Sequence, residues 1–125
     1  MLGNHPLQVV LLAPDLDASK DFYANKIGLK ILTESPDAVS FQCGGDSRLD
    51  VTKSTVGTAD SQTQAAWRVS DLAADVDELR SRGVQIEEYD SPGLRTEDGI
   101  ADLGFAFMAW FIDPGKNCLA MMQLK

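Results

Sequence analysis

An internal repeat constrains the fold of this chain more than any other feature of its 125 residues. Gln8 precedes Asp15 with the same spacing as Gln64 precedes Asp71, and the two pairs are offset by 56 residues. In both halves an apolar segment is followed by a helical pattern, a glycine and several short strand patterns. A repeat of this length predicts two copies of one supersecondary unit.

The first half predicts the order β-α-β-β-β. Its opening apolar segment ends at Pro14, and Asp15 or Asp17 can cap the helix that follows. Gly28 is typical of the end of such a helix. The predicted elements are a strand over residues 7–12, a helix over 16–26 and strands over 29–33, 38–43 and 48–52.

The second half predicts the same order after a polar linker over residues 54–63, which is rich in small residues. A long segment, Asp90 to Gly104, interrupts this half. Loops of this length are usually lids or binding loops, which we favour, although a passive surface excursion is the alternative. The predicted elements are a strand over 65–69, a helix over 72–82 and strands over 84–89, 105–112 and 118–123.

The pattern predicts a single α+β domain over residues 1–125, built from module 1 (about 5–53) and module 2 (about 64–125). Two tandem β-α-β-β-β modules can pool their strands into one curved mixed sheet around a cleft, with the helices on the outer face. Because side chains alternate along a strand, the cleft-facing positions follow from parity. They are Gln8, Val10, Leu12, Arg48, Asp50, Thr52, Gln64, Ala66, Arg68, Met108, Trp110, Cys118, Ala120 and Met122.

Charge and hydropathy exclude several classes of function. The net charge is −8, whereas binding to nucleic acid needs clustered Lys and Arg. No apolar run approaches the roughly 20 residues that span a bilayer, and no secretory signal pattern is present, so we expect a cytoplasmic protein. Cys43 and Cys118 have no metal or redox spacing, and they are read as small buried hydrophobes rather than as a reactive thiol.

Three stretches together resemble motifs of one known family. Residues 15–29 are similar to a D-L-x-x-(S/A)-x-x-F-Y…L-G-(F/L) opening. Residues 71–84 are similar to the family's second helix and the exit from it, and residues 110–117 to its closing F-x-D-P-x-G-N hairpin, with the glycine and a neighbour interchanged. The family that these stretches resemble is the vicinal oxygen chelate superfamily of glyoxalase I, bleomycin resistance proteins, extradiol dioxygenases and fosfomycin resistance enzymes.

The resemblance implies four positions where metal-using members carry their ligands. In this chain they are Gln8, Asp50, Gln64 and Ala120. Alanine has no donor atom, and the lone histidine, His5, lies too early in the chain. One carboxylate and two neutral amides are a weak donor set for a divalent ion. We therefore expect no metal and no other cofactor, and we interpret the three polar residues as cleft residues.

Aromatic and sulfur-containing side chains are concentrated in the last quarter of the chain. Met108, Trp110 and Met122 share the predicted cleft face, where an apolar wall with a few polar groups is typical of a small-molecule pocket. Trp110 can also stack on a planar or cationic ligand. The alternative is that all of these side chains pack in the core.

The resulting functional prediction is a metal-independent protein of the bleomycin-resistance type. It forms a homodimer and sequesters or carries an aromatic or cationic small molecule, with no nucleic-acid or membrane partner. The alternative is a lyase, isomerase or dioxygenase-like enzyme in which Asp50 is the general base and Arg48 or Arg68 stabilises negative charge. Asp50 and an arginine can equally form a simple salt bridge. The predicted ligand contacts are Gln8, Arg48, Asp50, Gln64, Arg68, Met108, Trp110, Ala120 and Met122.

Overall fold

The computed structural model describes residues 1–55, 57–58 and 62–125. The chain divides into two compact units, Met1–Ala59 with Asp113–Asn117, and Asp60–Ile112 with Cys118–Lys125. Each unit contains one main helical segment and its own mixed sheet, which confirms the α+β class. The predicted linker over 54–63 lies partly outside the described residues, which omit 56 and 59–61.

The first unit has a four-stranded sheet in the order β1-β4-β3-β2. Strand β1 runs parallel to β4, and the other neighbours are antiparallel. The helix begins as an α-helix and continues through a π-helical turn over Phe22–Lys26. The elements are β1 (Gln8–Ala13), α1 (Leu16–Asp21), β2 (Lys30–Glu34), β3 (Ala38–Gln42) and β4 (Arg48–Lys53), after a 3₁₀ turn over Leu2–Asn4.

Local sequence explains why these elements form where they do. The Asp15 carboxylate accepts a hydrogen bond from the backbone N–H of Ala18 at 3.1 Å and so caps α1. Gly28 has φ 83°, a left-handed conformation that ends the helical segment. Alternation along the strands buries one side of the sheet. Its buried side chains include Leu11, Val39, Phe41, Leu49 and Val51, which share the core with Phe22 and Tyr23.

The second unit has a six-stranded sheet in the order β5-β10-β9-β8-β7-β6. The Asp71 carboxylate caps its helix by accepting from the N–H of Ala74 at 3.1 Å, and the buried helix stripe is Leu72, Val76 and Leu79. The elements are β5 (Thr63–Arg68), α2 (Leu72–Ser81), β6 (Asp90–Ser91), β7 (Leu94–Glu97), β8 (Ile100–Asp102), β9 (Ala106–Ile112) and β10 (Cys118–Leu124). Neither helix in the described part of the chain is long and apolar enough to cross a membrane.

Two predictions for the second unit are wrong. Residues 84–89 form no strand, although the N–H of Glu87 donates to the carbonyl of Trp110 at 2.8 Å. The segment from 90 to 104 is not a long loop, because it contains β6, β7 and β8, and β8 pairs with β9. A tight turn joins β7 to β8, with φ values of 52° at Asp98 and 83° at Gly99. Asp-Gly is typical of such hairpin turns.

The turn Asp113–Asn117 is anchored by a buried carboxylate. Asp113 accepts from the Tyr23 hydroxyl at 2.6 Å and from the backbone N–H of Asn117 at 2.7 Å. The Asn117 side-chain amide donates to Asp113 at 2.8 Å and to the carbonyl of Leu12, at the end of β1, at 2.9 Å. Both Asp113 and Asn117 are buried, so these bonds satisfy groups that water cannot reach.

Gly115 provides a steric test of this turn. A Cβ at this position lies 2.3 Å from the Leu12 carbonyl oxygen, whereas a Cβ at Gly44 meets nothing within 4 Å. We expect Gly115→Ala to lower the free energy of unfolding by about 1–3 kcal/mol, because the backbone has to shift. Gly44→Ala is the matched control and should change it by less than about 0.5 kcal/mol. Urea unfolding of both variants measures this, and equal stability of the two would contradict the close packing.

Tyr23 provides a pH-dependent test. Burial and the Asp113 carboxylate raise the pKa of the Tyr23 hydroxyl above its usual value near 10. The unfolded chain therefore loses this proton first, and stability decreases as the pH rises above about 10. Tyr23→Phe should cost about 1–3 kcal/mol at pH 7, because it leaves Asp113 short of one donor. Above pH 10 the free energy of unfolding should fall less steeply with pH for the variant than for the wild type. The difference between the two slopes should be about 1.4 kcal/mol per pH unit. Parallel slopes for the two proteins above pH 10 would contradict this assignment.

Candidate functional site

One side of the first unit's sheet combines polar and apolar side chains that are not covered by the core. We call it the Asp50 face, and it comprises Gln8, Val10, Leu12, Ser40, Arg48 and Asp50. Strand pairing places Gln8 beside Arg48 and Val10 beside Asp50. Val10 is 57% exposed and Leu12 is 39% exposed, whereas their neighbour Leu11 is buried on the opposite side. Val10 and Leu12 therefore lie on the side of the strand away from the core, and that this side faces a ligand cleft stays a prediction.

Asp50 lies at the centre of a hydrogen-bonded group on this face. The Gln8 side-chain amide donates to one carboxylate oxygen, and the Ser40 hydroxyl donates to the other. The structure thus brings together two of the predicted site residues, Gln8 and Asp50. Ser40 was missed by the sequence analysis, although the antiparallel pairing of β3 with β4 places it directly beside Asp50.

A hollow of about 410 Å³ lies where β1 and β4 begin, and we call it the Arg48 hollow. It includes two charged side chains, Asp46 and Arg48, both exposed. Within the described ranges neither of them forms an ion pair. The hollow is lined chiefly by Leu7, Gln8, Leu32, Gln42, Asp46 and Arg48.

Two predicted site residues lie on β5 of the second unit. Gln64 and Arg68 are both exposed, on the side of the strand that parity assigned to them. The Gln64 side-chain oxygen accepts a hydrogen bond from the backbone N–H of Cys118 at 2.8 Å. This bond links β5 to the start of β10 and gives Gln64 a structural role.

Other predicted site residues belong to a packed group that we call the Trp110 cluster. Trp110 is only 6% exposed, and its indole N–H donates to the Thr63 hydroxyl at 2.9 Å. The ring of Tyr89 meets it edge-on at 5.5 Å. The members of the cluster are Ala101, Trp110, Cys118 and Ala120, with Tyr89, Leu94, Leu103, Met108 and Ile112 packed against them.

The Trp110 cluster favours the core-packing interpretation of these aromatic and sulfur-containing residues. Tyr89 and Leu94, from the segment predicted as strand and loop, pack against the cluster, and Tyr89 contacts the indole ring directly. Met122 is half-buried. A ligand-binding role for Met108, Trp110, Ala120 and Met122 stays a prediction, and the low exposure of Trp110 leaves a ligand little of its surface to contact.

The Cys118 thiol is a poor nucleophile in this setting. Cys118 is 1% exposed, and burial raises the pKa of its thiol. Burial also raises the pKa of the neighbouring Tyr89 hydroxyl. Both groups therefore keep their protons at neutral pH, as packed side chains do.

The resemblance assigned four positions to metal ligands, namely Gln8, Asp50, Gln64 and Ala120. The side chains at these positions do not suit a divalent ion. Asp50 accepts a hydrogen bond on each carboxylate oxygen, and Gln8 directs its amide N–H at Asp50. Gln64 uses its side-chain oxygen on a backbone N–H, and Ala120 is buried and has no donor atom. Within the residues that the structure describes, no group of three or more His, Cys, Asp or Glu side chains is arranged to hold a metal.

Comparison with known proteins identifies the family. The model of the glyoxalase/bleomycin resistance protein/dioxygenase superfamily matches residues 5–118. The chain belongs to this superfamily. A search of curated proteins found no significant match.

Solved structures share the superfamily fold with this chain at low sequence identity. TnmS3, an antibiotic binding protein from Streptomyces sp. CB03234, is 21% identical with a TM-score of 0.70, over 97% of this chain and 96% of its own. A superfamily protein from Alicyclobacillus acidocaldarius is 22% identical with a TM-score of 0.72, over 97% and 92%. Lactoylglutathione lyase from Agrobacterium tumefaciens is 21% identical with a TM-score of 0.66, over 95% and 92%.

Proposed function

We propose that this superfamily member binds a small molecule without a metal and sequesters or carries it. The ligand is aromatic or cationic, and it binds on the Asp50 face. The observation that carries the proposal is the pairing of Asp50 with Gln8 and Ser40 beside exposed aliphatic side chains. The hydrogen bonds hold a carboxylate in one orientation, and no metal is needed to keep it there.

The surroundings of Asp50 have the composition of a ligand site. Val10 and Leu12 offer apolar contact, and the Arg48 hollow at the Gln8 end has a volume within the range of small-molecule pockets. An aromatic ring can lie on the aliphatic side chains while a cationic group approaches Asp50. On the second unit, Gln64 and Arg68 are exposed on β5 and stay predicted ligand contacts in their own right.

Relatives support both a binding protein and an enzyme. TnmS3 is described as an antibiotic binding protein, which agrees with the proposal, and the Agrobacterium tumefaciens relative is a lyase. In the enzyme alternative, a lyase, isomerase or dioxygenase-like protein, Asp50 is the general base and Arg48 or Arg68 stabilises negative charge. We favour binding, because the residues at the positions that carry metal ligands in metal-using members do not suit a divalent ion in this chain.

A thermal-shift screen with planar aromatic compounds, organic cations and antibiotics tests the proposal. At least one class should raise the melting temperature in a saturable way. For a cationic hit, Asp50→Asn should weaken binding by about fivefold to tenfold, which corresponds to the loss of one charge-assisted hydrogen bond. Asp77→Asn, the same change at an exposed position of α2, is the matched control and should have no effect.

Two results of this screen would count against binding as the function. One is the absence of stabilisation by every class combined with metal-dependent turnover of a small metabolite. The other is equal affinity of a cationic hit for wild type and for Asp50→Asn.

We also propose that the protein forms a homodimer; in the described part of the chain β1 and β5 each lie at an edge of their own sheet, and an edge strand can pair with a strand of a second chain. Light scattering of the purified protein should give a mass near twice that of the 13.6 kDa chain. A mass equal to that of one chain at micromolar concentration would contradict this expectation.

A further inference from the structure

The Arg48 hollow contains two opposite charges that form no ion pair with each other. Arg48 stands at the start of β4, and Asp46 stands in the turn before it. Among the described residues neither has an ion-pair partner, and they do not pair together. Both charges are therefore available to a molecule in the hollow.

The turn that carries Asp46 is held by its own hydrogen bonds. The Ser47 hydroxyl and backbone N–H both donate to the carbonyl of Gly44, the latter at 3.2 Å. The N–H of Cys43 donates to the carbonyl of Ser47 at 3.0 Å. Asp46 thus projects from an ordered turn, which limits the entropy lost when it binds a partner.

The remaining lining of the hollow is neutral. Two amide side chains, Gln8 and Gln42, are polar without charge, and both are exposed at the ends of their strands. Pro6, Leu7 and Leu32 add apolar surface, and Leu7 is 84% exposed. Such a lining suits a ligand with a charged end and an apolar body.

We propose that the Arg48 hollow binds an amino-acid-like zwitterion with an apolar or aromatic body. The carboxylate binds the Arg48 guanidinium, whose planar fork matches carboxylate geometry. The ammonium group binds Asp46, and the apolar body lies on Leu7 and Leu32. This inference rests on the proposed function, because it names the ligand class for the Gln8 end of the Asp50 face.

The charge of the hollow explains why a zwitterion is preferred to a simple ion. A simple anion gains Arg48 but approaches Asp46, whereas a simple cation gains Asp46 but approaches Arg48. Each singly charged ligand therefore has one favourable and one unfavourable interaction. A zwitterion with both groups on one carbon can place its carboxylate nearer to Arg48 and its ammonium group nearer to Asp46, so both of its closest charge interactions are favourable.

Three probes of nearly equal size separate these contributions. They are L-phenylalanine, 3-phenylpropanoate, which lacks the ammonium group, and 2-phenylethylamine, which lacks the carboxylate. Titration calorimetry of the full chain should show L-phenylalanine binding about tenfold more tightly than either analogue, a difference of about 1.4 kcal/mol.

Variants assign each charge to its partner. Arg48→Gln should abolish the preference of the hollow for L-phenylalanine over 2-phenylethylamine. Asp46→Asn should abolish the preference of the hollow for L-phenylalanine over 3-phenylpropanoate. Arg95→Gln, at an exposed arginine on β7 of the second unit, is the matched control and should leave both preferences unchanged.

The outcomes distinguish this inference from the proposed function. The inference is overturned if no probe binds at millimolar concentration, or if both preferences survive in Arg48→Gln and Asp46→Asn. In either case stabilisation by other aromatic or cationic compounds, sensitive to Asp50→Asn, leaves the proposed function intact. The inference is supported if L-phenylalanine binds more tightly than both 3-phenylpropanoate and 2-phenylethylamine. This holds even if Asp50→Asn changes the affinity of no ligand.

Discussion

The buried carboxylate of Asp113 is the constraint on which the arrangement of the first unit depends. It accepts hydrogen bonds from Tyr23 on the helical segment and from Asn117 in its own turn. Asn117 in turn donates to Leu12 at the end of β1. A buried charge is tolerated only when it is fully hydrogen-bonded, so removing any partner is costly. Because β1 also carries Gln8, this buried network supports the strand on which the Asp50 face is built.

The fold could be predicted in large part because the first half obeys local rules. Asp15 caps its helix, Gly28 ends it, and strand alternation is regular, so the predicted elements agree with the observed ones to within about two residues. The second half was harder, since β6, β7 and β8 are two to four residues long. Strands this short carry too few alternations for a period of two to be recognised.

The candidate site was predictable where it depends on parity and not where it depends on packing between distant segments. Parity placed Gln8 and Asp50 on one face, and they are hydrogen-bonded there. Ser40 was missed because its role follows from the register of β3 with β4. The burial of Trp110 was only one of two alternatives from the sequence, because Tyr89, which packs against it, comes from a segment without strand structure. No property of the single sequence indicated that contact.

Titration calorimetry distinguishes metal-independent binding from binding through a metal ion. The compound that gives the largest thermal shift is titrated into protein treated with a chelator, and again after addition of an equimolar amount of Ni²⁺ or Zn²⁺. We expect the two dissociation constants to agree within about twofold, because the Asp50 carboxylate is held by Gln8 and Ser40 and not by an ion. Binding that disappears in chelator and returns with the metal would contradict metal-independent binding.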